Sequence, residues 1–281
     1  MSNAGKFFEC RGFRLPMGEK TYIMGILNIT PDSFSDGGKY DNVELAVRRA
    51  KEMAREGAHI IDVGGESTRP GHTPVEPYEE IERVVPVIKR LCTELDVPVS
   101  IDTSKASVAK EALEAGAHIV NDVWGLRRDP EMAGIISKYN AGVIMMHNRN
   151  DKSYNDLMGE ITEFLNESII IAQRAGIPKA CMAIDPGVGF GKTMEHNLEV
   201  IRRLKELKTL DLPILLGTSR KGFIGNILNL PVDQRVEGTA ATVVIGIANG
   251  ADIVRVHDIK EIARAAKVAD AVCRAAGGAV I

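Results

Sequence analysis

Short aliphatic and β-branched runs alternate with longer amphipathic ones along the chain from Tyr22 onward. The short runs predict strands over Tyr22–Leu27, His59–Val63, Val97–Ile101, His118–Asn121, Gly142–His147, Cys181–Asp185, Pro213–Gly217 and Asp252–Val256. Several are almost continuously apolar, as expected of parallel strands buried on both faces. The longer runs carry the helical period and predict helices over Val43–Glu56, Pro77–Glu94, Lys105–Ala115, Pro130–Tyr139, Glu160–Ala175, Asn197–Lys208, Val236–Asn249 and Ile259–Ala275. Gly57, Gly116, Gly176 and Gly250 stand where a helix should stop, just before the next strand. The junction repeats as Glu56-Gly57-Ala58, Ala115-Gly116-Ala117 and Asn249-Gly250-Ala251.

Eight strands, each followed by a helix, is the count of an α/β chain folded as a (β/α)8 TIM barrel. An open, doubly wound sheet stays open as the alternative, because periodicity alone does not establish closure. No Pro/Gly-rich linker or shift of composition divides the chain, so a single domain over 1–281 is expected. Met1-Ser2-Asn3-Ala4 reads as an expression scar.

Composition narrows the function. A formal charge of −3 and a pI near 6.1 argue against a general nucleic-acid or anionic-membrane binder, while leaving room for a local basic pocket. No apolar run approaches the roughly 20 residues of a membrane-spanning helix, and no signal peptide precedes the first strand, so a cytoplasmic protein is expected. Cys10, Cys92, Cys181 and Cys273 are dispersed and form no CxxC unit, as expected of reduced thiols.

A barrel of this kind carries its chemistry at the C-terminal ends of its strands. Those ends read Asn28, Asp62, Asp102, Asn121-Asp122, His147, Asp185, Thr218-Ser219 and Arg255-Val256-His257. An Asp after a strand is often only a helix cap, but capping does not account for polar groups at every strand end. Asp102, Asn121 and Asp185 offer acceptors and one amide, matching the donor-rich edge of an amino-oxo-pyrimidine heterocycle. Lys221 and Arg255, with Arg220, Arg69 and His257 nearby in the pattern, suit a phosphate or carboxylate. Arg220 and Arg69 read equally well as solvated surface charges. Together these groups suggest a phosphorylated heterocycle as ligand.

Long polar, glycine-ended segments follow the first two barrel strands, over 28–38 and 64–71, and suit lids that exclude water. Gly187-Val188-Gly189-Phe190-Gly191-Lys192-Thr193 imitates a P-loop but has three residues, not four, between its outer glycines. A Schiff-base role for Lys221 is disfavoured by its position in a turn beyond the strand. No HExxH or clustered Cys/His set marks a zinc site.

The residues at this point resemble the dihydropteroate synthase family of folate biosynthesis over nearly the whole chain. The resemblance rests on the segment from Gly25 to Gly38 (Gly-Ile-Leu-Asn-Ile-Thr-Pro-Asp-Ser-Phe-Ser-Asp-Gly-Gly) and on Asp62 to Gly71 (Asp-Val-Gly-Gly-Glu-Ser-Thr-Arg-Pro-Gly). Asp185-Pro186-Gly187-Val188-Gly189-Phe190-Gly191-Lys192, Ser219-Arg220-Lys221 and Arg255-Val256-His257 complete it. It implies a transferase that condenses 6-hydroxymethyl-7,8-dihydropterin diphosphate with p-aminobenzoate, giving 7,8-dihydropteroate and diphosphate. It also implies help from Mg²⁺, a homodimer, and sulfonamides as mimics of the second substrate.

By the same resemblance, Asp102, Asn121 and Asp185 hold the pterin edge, Met146 and Phe190 wall it, and Lys221 reaches its carbonyl and ring nitrogen. Asp102 and Lys221 are the expected catalytic pair. Arg255 stacks near the ring and, with His257 and Thr68, contacts the diphosphate. Phe34, Thr68, Pro70 and Ser219 frame p-aminobenzoate, and Asn28 ligates Mg²⁺. The chemistry this implies is dissociative, with a cation-like carbon stabilised by a carboxylate such as Asp102. Residues 148–150 and Gly222 lie where family variation is expected; His147 is left without a role, and Trp124 reads as packing. Two rivals share the pterin edge: a methyltransferase passing a methyl group from a methylated folate to a corrinoid protein, and a non-catalytic pterin-binding subunit.

Overall fold

The computed structural model describes residues 7–29, 39–66 and 75–274. An antiparallel hairpin comes first, β1 (Phe7–Cys10) and β2 (Phe13–Pro16), turning at Arg11-Gly12 with φ of 38° and 93°. Two positive φ values in a two-residue turn match the twist of the flanking strands. The sequence reading started its first strand at Tyr22 and missed this hairpin, whose strands are short and half-exposed.

Eight parallel strands follow: β3 (Tyr22–Asn28), β4 (Ile60–Gly64), β5 (Val99–Asp102), β6 (Ile119–Asp122), β7 (Gly142–Met146), β8 (Met182–Asp185), β9 (Leu215–Leu216) and β10 (Ile253–Val256). They form one sheet in the order β8-β7-β6-β5-β4-β3-β10-β9. A parallel bridge between Ile184 and Ile214 joins its two ends, with the Ile184 N–H donating to the Pro213 carbonyl at 2.9 Å. The sheet is therefore a barrel, and the open alternative falls. β9 is shorter than expected, and Pro213, which has no N–H to give, enters the ring only as an acceptor.

The helices are α1 (Lys39–Glu56), α2 (Pro77–Glu94), α3 (Ala106–Glu114), α4 (Met132–Lys138), α5 (Leu157–Arg174), α6 (Met194–Arg202), α7 (Gly222–Leu228), α8 (Val236–Ala248) and α9 (Ile259–Cys273). The glycines expected at helix ends, Gly57, Gly116, Gly176 and Gly250, all have positive φ. Two details differ from expectation. α6 begins earlier because Thr193 caps it, accepting the His196 N–H, and a tight 3-10 segment over Leu204–Leu210 replaces its predicted last turns. α7 was not anticipated; it is a short helix of about two turns directly after Lys221.

Side chains alternate across each strand with period two, and that parity positions the site. Outward residues such as Val63, Ile101, Val120, Val143, Ile184 and Val254 pack beneath the helices in the larger core. Inward residues Met24, Ile60, Ile119, Ile144, Ala183, Leu215 and Ile253 form a separate apolar layer inside the barrel, closed from below by Phe8 and Cys10 of the hairpin. Gly142 allows that approach, since a Cβ there would lie 2.9 Å from the Cys10 Cβ. Two residues further along each strand, the same inward parity delivers Ile26, Asp62, Asp102, Asn121, Met146, Asp185, Gly217 and Arg255 to the upper end.

Candidate functional site

The upper end opens into a cavity of about 830 Å³. Asn28, Asn121, Met146, Asp185, Phe190, Ser219, Lys221, Arg255 and His257, all anticipated from sequence, line it. Asp102 lies one bond behind Arg255.

Arg255 organises the floor. Its Nε donates to Asp62 Oδ2 and its Nη2 to Asp102 Oδ2, both at 2.6 Å. Asn121 Nδ2 donates to the same Asp62 oxygen at 3.2 Å. Asp62 is fully buried, so this carboxylate, which sequence reading placed at a strand end without a role, fixes two cavity residues at once. Burial pushes the Asp102 carboxyl up to about 7, against the opposing pull of Arg255. Burial also works against the charge on Arg255, but Asp62 and Asp102 outweigh it and raise its pKa. Among the described residues, Asp62 Oδ1 and Asp102 Oδ1 are buried without a hydrogen-bond partner, acceptors of the kind a ligand donor would satisfy.

The opposite wall is the turn after β8. Asp185 Oδ1 accepts the Gly187 N–H at 2.7 Å, and burial raises this carboxyl to about 6, against that bond and the charge of Lys221. Lys221 Nζ sits 4.2 Å from the centre of the Phe190 ring, a cation–π contact. The floor thus presents acceptors and the wall presents an aromatic face with a cation over it.

The pterin binding enzyme family matches residues 24–257. A dihydropteroate synthase of Bacillus subtilis (strain 168) is 54% identical over 259 residues, which cover 92% of this chain and 91% of that protein. A crystal structure of dihydropteroate synthase from Clostridium difficile in the presence of pteroic acid matches with a TM-score of 0.90 at 56% identity, covering 92% of this chain and 98% of that one. The Xanthomonas albilineans dihydropteroate synthase solved with 4-aminobenzoic acid matches with a TM-score of 0.92 at 40% identity, covering 98% and 100%. The chain belongs to the dihydropteroate synthase family. It is accordingly a pterin-binding transferase built on a TIM barrel.

Other groups at the mouth of this dihydropteroate synthase barrel sort into neighbours of the cavity and supports. Ser219 Oγ lies 2.9 Å from His257 Nδ1 and accepts the His257 backbone N–H at 3.1 Å, so the two move as a unit. Asn28 and Asp102 flank Gly64: a Cβ there would lie 3.7 Å from Asn28 Oδ1 and 3.8 Å from Asp102 Oδ2. The Arg220 guanidinium is paired with Asp258 in a two-point contact, so it serves the rim rather than standing ready as an open cation. Asp122 turns away from the cavity; its carboxylate accepts the Trp124 and Leu126 N–H groups at 2.9 and 2.7 Å, a capping role. Lys192 of the P-loop look-alike points inward to His147. Phe34, Thr68, Pro70 and Arg69, with 30–38 and 67–71 of the two expected lids, lie outside the described residues.

Proposed function

We propose that the barrel mouth joins 6-hydroxymethyl-7,8-dihydropterin diphosphate to p-aminobenzoate, releasing diphosphate and 7,8-dihydropteroate in folate biosynthesis. The observation that carries this reading is the Asp62–Arg255–Asp102 bridge beside Asn121 and Asp185. It combines acceptors for an amino-oxo heterocycle with a fixed cation, and Lys221 and His257 line the same cavity. A methyl transfer from a methylated folate to a corrinoid protein needs the acceptor edge but gives no work to the paired Ser219–His257 and Arg255 groups. A non-catalytic pterin-binding subunit would not require them either.

In this reading Asp102, Asn121 and Asp185 hold the pterin edge, Met146 and Phe190 wall the ring, and Lys221 donates to its carbonyl and ring nitrogen. Arg255, His257 and Thr68 receive the diphosphate; Phe34, Thr68, Pro70 and Ser219 frame p-aminobenzoate. The bond from the exocyclic carbon to the diphosphate oxygen breaks first, its electron pair leaving with diphosphate. The carbon shares its positive charge with the dihydropterin ring, and Asp102 stabilises that charge electrostatically. The aromatic amine then forms the new C–N bond and gives up a proton to solvent. Arg255, fixed by Asp62 and Asp102, aims its remaining N–H donors where negative charge collects, at no cost of reorganisation.

The donor set fits Mg²⁺. Asn28 offers one neutral oxygen on the side of Gly64 where Asp102 also lies. Mg²⁺ keeps its waters and takes substrate phosphate oxygens with one or two protein ligands, so Asn28 would hold it against the substrate. When bound, it neutralises charge on the departing diphosphate.

We also place the chain, as one domain, in the cytoplasm as a homodimer. Ile227 on α7, Ile245 on α8 and Val268 and Val272 on α9 are apolar side chains at least half exposed, and a second copy would cover them. Among the described residues no helix is long and apolar enough to cross a membrane.

The test follows diphosphate release and pteroate formation together, with Mg²⁺, in the presence and absence of p-aminobenzoate. Release matched by product is expected. Tight pterin binding without product would overturn the synthase reading.

A further inference from the structure

The segment after Asp185 is held at nearly every residue. Gly187 lies against the His147 carbonyl so closely that a Cβ would stand 1.9 Å from that oxygen, and its φ is 71°. Asn197 Oδ1 accepts the Gly189 N–H at 2.7 Å, and the Tyr154 hydroxyl donates to the Gly191 carbonyl at 2.8 Å. Beneath this turn lies Lys192, a lysine only 5% exposed. Its Nζ is 2.9 Å from His147 Nδ1, 3.1 Å from the Gly187 carbonyl and 3.2 Å from the Phe190 carbonyl. All three partners are neutral acceptors, which the three N–H donors of the protonated amine match, although burial pulls that amine down to about 7.

His147 suits that arrangement. Burial, then the charge of Lys192, lowers its pKa to about 3, so it stays neutral and keeps a lone pair for the lysine. Arg149 and Tyr154 also face this region, Arg149 through its ion pair with Glu160 and Tyr154 through its ring against those of His147 and His196. None of these contacts reaches both carbonyls that bracket the turn. Lys192 does, and the turn it closes carries Phe190, whose ring lies under Lys221.

We propose that Lys192, with His147 as its acceptor, is a positioning clasp that sets the height of the Phe190 ring and, through it, of the Lys221 ammonium. This rests on the synthase reading, since the wall so positioned is the one that reading gives to the pterin. Lys192 also borders the cavity, but its donors are spent on His147 and the two carbonyls of the turn. Their loss therefore moves the grip on pterin rather than the chemical step.

The test compares the full-length chain with Lys192→Met, which keeps the length of the side chain and removes every donor. The KM for pterin diphosphate is expected to rise about tenfold while kcat and the KM for p-aminobenzoate stay within about threefold, the scale of a wall displaced by a fraction of an ångström. Calorimetric titration with pteroic acid should weaken by a similar factor. An unchanged pterin KM, or a kcat loss with KM intact, overturns the clasp. If Lys192→Met does not fold, His147 carries the test. His147→Asn leaves an oxygen where Nδ1 stood and should keep the native KM, whereas His147→Leu should raise it; equal values for the two overturn the clasp. A native chain that binds pteroic acid but makes no pteroate overturns the synthase reading instead, and the calorimetric comparison still decides the clasp.

Discussion

Arg255 and Asp102, 153 positions apart in the chain, meet through a single charge-assisted bond of 2.6 Å from Nη2 to Oδ2. The same guanidinium satisfies Asp62 through Nε. A buried pair of like charges is thereby made tolerable by one cation, and removing that cation exposes the cost. Arg255→Ala is expected to lose about 3–5 kcal/mol of stability, the usual penalty for stranding a buried charge. Turnover should fall at least about 100-fold. Urea unfolding and a steady-state assay read the two effects separately; a variant as stable as the native chain would refute the account of the floor.

If Asp185 holds the pterin edge as proposed, pterin affinity should depend on pH. Burial holds its carboxyl near 6 rather than at the ordinary 3.8, so it accepts a proton as pH falls through 6. A protonated Asp185 has lost an acceptor for ring N–H donors. Affinity for pteroic acid should therefore decline below pH 6, approaching about tenfold per pH unit. The ligand-free fold runs the other way: a raised carboxyl pKa stabilises it at low pH, and that contribution is lost as pH rises through about 6. Asp185→Asn should remove the step near pH 6 and leave the one that Asp102 contributes near 7, which calorimetry across pH 5–8 would establish.

Two glycines separate fold from ligand. In Gly187→Ala the new carbon meets a backbone oxygen at 1.9 Å in a positive-φ residue, and about 2 kcal/mol or more of stability should be lost. In Gly217→Ala the nearest atoms are Asp185 Oδ2 at 3.9 Å and Arg255 Cβ at 4.0 Å, ordinary contact. The added methyl lies on the cavity lining. Thermal midpoints should distinguish them: Gly217→Ala melts like the native chain yet binds pteroic acid at least about tenfold more weakly.

Phe8 tests the hairpin. It is fully buried in the lower layer of the barrel, so Phe8→Ala should cost about 3–5 kcal/mol. Activity per folded molecule should not change, because the side chain contacts that apolar layer and not the cavity. Comparing active-site titre with specific activity would show whether the loss is of molecules or of rate.

Asn28→Ala should raise the Mg²⁺ concentration for half-maximal turnover about tenfold while leaving metal-free binding of pteroic acid unchanged. A Mg²⁺ titration of initial rates, with calorimetry beside it, checks both halves.

Much of this was legible before any coordinates, for a physical reason. Parallel strands buried on both faces read as apolar runs, so a polar residue ending such a run stands out, and Asp102, Asn121, Asp185 and Arg255 all did. What spacing along one strand does not encode is the partner on another. Asp62 stood at its strand end without an assignment because its importance lies in bonds to residues 59 and 193 positions away. His147 and Lys192 stay apart for the same reason, the lysine appearing in a P-loop look-alike and in the family motif without a role of its own. The β1–β2 hairpin escapes because its strands are four residues long and only β1 buries alternate side chains, too short a signal to separate from a loop. α7 escaped because seven residues rich in glycine and asparagine carry little helical period.

The inward parity of the strands has one more consequence. Ile119 and Asn121 sit two positions apart on β6, facing the same way, yet one belongs to the dry layer that resists unfolding and the other to the wet end that meets substrate. The same division recurs between Ala183 and Asp185 and between Ile253 and Arg255. Each strand is a short ruler with durability at one mark and reactivity at the next. Upper positions can be exchanged for new chemistry while the lower ones keep the barrel standing, so a library confined to the upper inward positions should yield many more folded variants than one spread evenly along the strands.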